Sequence, residues 1–378
     1  MRVTIHDRIG SIAADAWNAV AGDEYPFLRH EFLDAAESTG CVADDAGWLP
    51  CHLTIDNEDG SLRAAIPLYE KHHSWGEFVF DWAWANAYER AGFRYYPKLV
   101  SAAPFTPATS RRLLLADPAD HEAANALIRA SIALADERAC SSVHVLFPAD
   151  EELGALEDAG LKLRKDCQFH WRNRDYADFD AFLATFSSAK RKKARRDRRH
   201  VAEAGIAFRR LTGHELTPEV LERVYEFVGL TFARRGSMPY YNLEFFSEIA
   251  KRMPDELLVI LAEKDGEAVA AAVFFVGRDV LYGRYWGGVP DYNALHFETC
   301  YYQGIEYCIE HGLKLFEPGT QGEHKVSRGF TPSVTHSAHW LAHPEFLSAI
   351  GQYVEEEARH VERYMDAVDS HSPYRRGS

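Results

Sequence analysis

The order of apolar segments in the second half of the chain constrains its fold more than any other feature. Leu257–Lys264, an Asp265-Gly266 turn and Ala268–Val276 read as a hairpin of apolar strands, and Val280–Trp286 as a further strand ending in Gly287-Gly288. Phe297–Glu310 then carries a helical period that stops at His311-Gly312, and Leu313–Phe316 reads as a strand. Strand, turn, strand, strand, helix, strand is not the alternation of an all-parallel sheet. It predicts an α/β protein of α+β character, with mixed sheets and helices on their faces.

The first half reads in the same way. Val3–Ile5, Leu49–Asp56, Leu62–Glu70, Pro97–Phe105 and Ser142–Phe147 are strand-like, the second and third forming a hairpin about Asn57–Gly60. Helices are predicted over Ser11–Ala21 with Ser11 as N-cap, Phe27–Ser38, His121–Glu137 and Leu153–Ala159. These elements make one domain over residues 1–165. Phe179–Phe186, a basic helix over 188–204, the strand Ile206–Leu211 and helices Pro218–Arg234 and Leu243–Arg252 open a second domain over 166–378. A length of 378 residues suits two domains.

Composition narrows the class. No apolar stretch reaches the ~18–20 residues of a membrane span, and Met1–Gly10 holds Arg2, Asp7 and Arg8 in place of a signal peptide's apolar core. The six cysteines form no C-x-x-C pair, and Cys300 and Cys308 lie two helical turns apart, too far for a disulfide. Buried thiols in a reducing compartment follow, and with them a cytoplasmic protein.

Charge is unevenly spread. Lys190–Arg199 holds eight Lys/Arg against one Asp, whereas the remainder carries 34 basic and 56 acidic residues. Repulsion at i,i+3 and i,i+4 spacing, relieved within the run only by Asp197, favours an anionic partner over a merely solvated face. A general DNA-coating protein would be basic more widely.

The common catalytic motifs are missing: no G-x-x-x-x-G-K-[ST], G-x-S-x-G, H-E-x-x-H or G-x-G-x-x-G occurs. The densest polar cluster is Glu317-Pro318-Gly319-Thr320-Gln321-Gly322-Glu323-His324-Lys325, continuing to Arg328 and following a predicted strand. Its glycines let backbone approach a ligand, and Glu323, His324, Lys325 and Arg328 supply an acid, a tunable base and two cations. Tyr285-Trp286-Gly287-Gly288, facing the helix that opens near His296, is a second candidate, able to offer free N–H groups to a phosphate. His336 and His339 lack a convincing third metal ligand. The aromatic stretch Phe80-Asp81-Trp82-Ala83-Trp84 with Tyr88, Tyr95 and Tyr96 reads as core, with a substrate-facing wall as the lesser alternative.

His72-His73-Ser74-Trp75-Gly76-Glu77 through Trp82, Tyr95-Tyr96-Pro97-Lys98, Pro104-Phe105-Thr106-Pro107, Gly283-Arg284-Tyr285-Trp286-Gly287, Leu295–Gln303 and Gln321–Phe330 together resemble one family. It is the Fem-like bacterial proteins, described as N-acyltransferases or peptidoglycan biosynthesis/recognition proteins. Ser110 and Thr320 depart from it, standing where Gly and Ala are expected. The resemblance implies two tandem acetyltransferase-like (GNAT) domains, with donor bound along Tyr285–Phe297 and the strand Leu313–Phe316 bordering the acceptor. The [QR]-x-x-G-x-[GA] fingerprint of acyl-CoA binding is absent there. The better-studied Fem relatives use aminoacyl-tRNA and carry a basic helix followed by Gly and a strand, to which Lys190–Leu211 is similar.

The expected function is transfer of an aminoacyl or acyl group to an amine acceptor, in cell-wall or peptide metabolism. The donor is aminoacyl-tRNA or acyl-CoA, acting as co-substrate, with no resident cofactor and no metal. Glu323 or His324 is the expected base, with Lys325 and Arg328 on the anion or oxyanion. Asp81, Trp82, Tyr285, Trp286, His296, Glu317 and Gln321 are expected to line the substrate. Lys190, Arg191, Lys192, Arg195 and Arg196 are expected to face a phosphate-bearing donor such as tRNA. An acyl-CoA-dependent N-acetyltransferase and a non-catalytic recognition protein on the same fold remain open, as does the oligomeric state.

Overall fold

The structure, a computed structural model, describes residues 2–289, 292–320 and 322–375. The chain forms two units, residues 1–167 with 334–363 and residues 168–333 with 364–378. The first unit therefore includes a return of the chain that a boundary between residues 165 and 166 leaves in the second domain.

Along the first unit run β1 (Val3–His6), α1 (Ala14–Ala21), α2 (His30–Ser38), β2 (Trp48–Pro50), β3 (His52–Asp56), β4 (Leu62–Ile66) and β5 (Tyr69–Lys71). Then come α3 (Trp82–Arg90), β6 (Lys98–Ser101), β7 (Leu114–Leu115), α4 (His121–Glu137), β8 (Ser142–Leu146) and α5 (Leu153–Asp158). β9 (Lys162–Arg172) leads into the second unit, with α6 (Phe179–Ala184), α7 (Ser188–Glu203), β10 (Ile206–Thr212), α8 (Pro218–Ala233) and α9 (Leu243–Arg252). There follow β11 (Leu257–Lys264), β12 (Glu267–Val276), β13 (Val280–Gly288), α10 (Leu295–Phe297), α11 (Gln303–Glu310) and β14 (Leu315–Glu317). β15 (Thr331–Leu341) and α12 (Pro344–Asp369) complete the chain.

In the first unit β1-β3-β4-β7 form an antiparallel sheet. A second, mixed sheet runs β2-β5-β6-β8-β15, with β6 and β8 parallel and the other described pairs antiparallel. α4 connects the parallel pair and buries Ala123, Leu127, Ile128 and Leu134 with Leu53, Ile66, Leu99 and Val143. Each such aliphatic side chain stabilises the fold by about 1.5–3 kcal/mol when fully buried. α3 sets Trp84 and Tyr88 against Ile350 and Val354 of α12.

Three local expectations are corrected. The predicted strand Leu49–Asp56 divides at Cys51, so β2 and β3 enter different sheets, and the predicted strand Leu62–Glu70 divides after Ile66, so β4 and β5 do the same. Ser11 does not cap α1: it closes a short turn at Ile9–Ser11, its Oγ donates 2.8 Å to the Arg8 carbonyl, and the helix starts at Ala14. A polar side chain near a helix start can satisfy a local carbonyl instead of the helix N–H groups.

The second unit carries one sheet in the order β10-β11-β12-β13-β14-β9. Asp265 and Gly266 both take positive φ (53° and 83°), the geometry that a tight hairpin between twisted strands requires. α8 lies so close to β13 that a Cβ on Gly287 would fall 1.7 Å from the Phe227 carbonyl oxygen. β13 and β14 are parallel, joined through α10 and α11, and β14 pairs antiparallel with β9. The first unit repeats this plan in β6, α4, β8 and β15. The expected mixed α/β fold is thus present twice.

Candidate active site

The site is built on the middle of the second unit's sheet. Among the described residues β13 pairs with β14 over Val280–Tyr282, against Leu315–Glu317, and then runs on to Gly288. Against β12 the register slips, since Val273 faces Tyr285 and Phe274 faces Gly283, so that Arg284 is the extra residue of a bulge. Bulges re-aim side chains and are common beside active sites. In the connection to β14, Ala294, with φ +64°, precedes α10, and the helix widens to a π turn over Glu298–Tyr302 between α10 and α11. Such turns are also frequent at functional sites. After β14 the chain passes Gly319 and Gly322, both at positive φ, into a short helical turn over Glu323–Arg328.

That turn meets the π turn. The Tyr301 hydroxyl and His324 Nε2 lie 2.9 Å apart in a hydrogen bond. Partial burial, then the charges of Lys325 and Arg328, lower the His324 pKa, so the imidazole is neutral near pH 7 and able to take a proton. His296 lies 5.3 Å from the Tyr301 ring, 5.2 Å from Trp286 and 6.1 Å from His324. Burial lowers its pKa to about 4, helped by His324, Arg328 and Lys325. Trp286 and His296 are each partly buried and join one aromatic group with Phe297 and Tyr301.

Lys325 is buried, donates 2.6 Å to the Gly319 carbonyl, and is lowered to about 7 by desolvation, with Cys300 opposing the shift. Arg328 is also buried: its guanidinium carbon lies 3.3 Å from the Phe297 ring centroid, and Nη1 donates 2.6 Å to the His324 carbonyl. Both side chains thus brace the loop, and Arg328 sets its positive potential. Glu323 is exposed and accepts a 3.0 Å hydrogen bond from the Tyr364 hydroxyl.

The basic run forms α7. Lys192, Lys193, Arg195, Arg196 and Arg199 are exposed, while Lys190 and Arg191 are half-buried. Asp197 does not relieve their repulsion, because it is turned inward, 3.6 Å from Arg328. Relief comes from outside the run: Asp180 on Arg195, Glu298 and Glu306 on Arg198, and Glu203 on Arg199.

The remaining expected residues are placed apart from His324 and Tyr301 in different ways. Tyr285 packs against Phe232, Tyr241 and Phe246, on the face of β13 opposite Trp286. Glu317 is buried at the end of β14. Gln321 lies outside the described residues. Asp81 and Trp82 belong to the first unit, where Asp81 accepts a 2.5 Å hydrogen bond from buried Lys98 and Trp82 is exposed beside Trp75. His336 and His339 are also there, the latter 2.5 Å from His144 through their Nδ1 atoms. Among the described residues no group of three or more His, Cys, Asp or Glu is arranged to hold a metal.

Three neighbours carry no role in the sequence reading. Tyr301 is one, hidden in an apparently regular amphipathic helix whose π turn has no sequence signature. Arg284 is another, the extra residue of the β13 bulge, whose charge acts on Lys325 and His170. His170 on β9 is the third, held at about 3 by burial and by Arg172, Lys325 and Arg284.

The fold and this arrangement define a two-unit mixed α/β protein whose second sheet opens onto a histidine–tyrosine pair. The FemAB_like profile, described as peptidoglycan biosynthesis/recognition, matches residues 8–376, and the chain belongs to that family. A search of curated proteins returned no match. Among solved structures, FemX is 12% identical, with a TM-score of 0.57, over 93% of this chain and 100% of that one. L-PGS from Bacillus licheniformis is 12% identical, with a TM-score of 0.53, over 88% and 98%. At such identities the likeness is one of fold.

Proposed function

We propose that the protein is an N-acyltransferase that moves an aminoacyl or acyl group onto an amine, with His324 as the base. The carrying observation is the 2.9 Å Tyr301–His324 hydrogen bond. The amine nitrogen attacks the carbonyl carbon of the donor ester, the amine proton passes to His324, and the carbon–oxygen bond to the donor breaks. The proton then leaves with the donor oxygen. Most of the acceleration comes from positioning and from removing that proton. Arg328, and Lys325 in its protonated form, favour the anionic intermediate through their field, and the Tyr301 hydroxyl, accepting from Nε2–H, orients the imidazole so that Nδ1 takes the proton. Both expected bases are exposed; His324 is favoured over Glu323 because it is hydrogen-bonded to Tyr301 and lies against the Phe297 and Tyr301 rings, whereas Glu323 is bound by Tyr364.

Aminoacyl-tRNA is the preferred donor, because the exposed cations of α7 lie on an element that also contacts the His324 loop. That donor suits a cytoplasmic protein, and among the described residues no helix is long and apolar enough to cross a membrane. Family membership supports an acceptor in peptidoglycan-related metabolism. The second reading is an acyl-CoA donor, favoured by the edge of β13 beyond Tyr282, which pairs with no strand among the described residues and could receive an extended arm.

Thermal shift separates these readings. Charged tRNA at ~100 times its Kd should stabilise the protein by ~2.7 kcal/mol, several degrees in Tm, and lose that effect in high salt. A shift with acyl-CoA alone would replace the tRNA reading. No shift with either donor would remove the transferase assignment.

A further inference from the structure

α7 has an inward face, and two adjacent residues on it grip different walls of the site. Asp197 is buried, and its Oδ2 lies 3.6 Å from Arg328 Nη2. Arg328 in turn holds the His324 carbonyl at 2.6 Å and stacks on Phe297. Arg198 reaches the other wall, with Nη2 3.1 Å from Glu298 Oε1 and 3.2 Å from Glu306 Oε2. Those two carboxylates flank Tyr301 along its helix. The hydrogen bond between Tyr301 and His324 therefore spans two walls whose separation is set by neighbouring residues of one helix.

We infer that Asp197 and Arg198 are positioning residues that couple polyanion binding on the outer face of α7 to the geometry of the His324–Tyr301 pair. The inference rests on the reading of α7 as the donor face. Phosphates on Lys192, Lys193, Arg195, Arg196 and Arg199 would relax the repulsion along that face and compete with Asp180 for Arg195. A helix is stiff over a few turns, so a displacement of its outer face moves both inner contacts together. The His324 loop and the Tyr301 helix would then adjust as a pair. Arg198 has its donors committed to Glu298 and Glu306, so its replacement should leave the phosphate contacts intact.

Nitrogen-15 NMR of the His324 imidazole and the Tyr301 ring signals, read with and without deacylated tRNA, tests this. Both sets of signals should move in the wild type. In Asp197→Asn and Arg198→Lys, tRNA should bind within twofold of wild-type affinity while the His324 and Tyr301 signals stay still, and Asp197→Glu should restore the movement. Arg198→Lys keeps the charge and loses the planar fork that reaches two carboxylates. If a variant at Asp197 does not fold, Arg198→Lys alone carries the test through the other wall. Unmoved wild-type signals at saturating tRNA would overturn the coupling, as would variants that respond like the wild type, since a direct field effect of the RNA persists in them. A wild type that binds no tRNA would instead remove the donor-face reading, and this inference with it.

Discussion

Lys71 and Lys98 stand opposite one another across β5 and β6, both fully buried, an arrangement that like charges disfavour. Lys98 is satisfied by Ser74, Glu77 and Asp81 at 2.5–2.8 Å, so the carboxylates compensate the pair. Burial raises Glu77 to about 7, offset only in part by Lys98, and burial lowers Lys71 to about 7 from 10.5. The two shifts act on stability in opposite directions. Between pH 4.5 and 7 the folded Glu77 holds a proton that the unfolded chain releases, so stability falls as pH rises. Between pH 7 and 10.5 the unfolded chain holds the Lys71 proton that the fold gives up, so stability rises. Urea unfolding at pH 5, 7 and 9 should therefore find Glu77→Gln losing the fall between pH 5 and 7, a change of about 1–3 kcal/mol. An unchanged pH profile in that variant would show that Glu77 titrates normally.

At the scale of elements, legibility followed the apolar pattern. α4, α9 and the β11–β12 hairpin are readable almost to the residue, because their periods and the Asp265-Gly266 turn are local signals. β15 is obscured because its buried face is made of polar residues that satisfy each other, such as Ser337 Oγ on His339 Nε2 at 2.8 Å. β9 is broken up by charged residues, and α12 shows helical spacing at Leu347, Ile350 and Val354 that the run Glu355–Glu357 dilutes. Ser11 illustrates the opposite error, a good capping residue used elsewhere. Tight element contacts also give a sharp prediction. Gly287→Ala, whose new methyl meets the α8 backbone, should destabilise the protein by at least about 1–3 kcal/mol in denaturant unfolding. A neutral result would mean that α8 and β13 part easily.

At the scale of the whole molecule, the candidate site draws on two separate stretches of sequence, α7 on one side and β13, the helix after it and the His324 loop on the other. The cluster Glu323–Arg328 and the basic run are visible in the sequence because charge density is local. Their connection through Asp197 and Arg328, and the partner Tyr301, depend on the fold and have no linear signature. The charge map also sharpens the donor prediction. Lys192→Glu with Arg196→Glu reverses two exposed cations and should weaken tRNA binding while lowering its salt slope by ~0.7–0.9 per lost phosphate contact. Equal binding at every salt concentration would remove α7 from the interface. The most direct measurement is transfer of labelled aminoacyl groups from a mixture of charged tRNAs to a panel of primary amines, comparing wild type with His324→Ala. The account predicts an amide product from the wild type and a loss of about 10²–10⁴-fold in rate in the variant. Equal rates in the two proteins, or no amide product from the wild type with any amine, would contradict it.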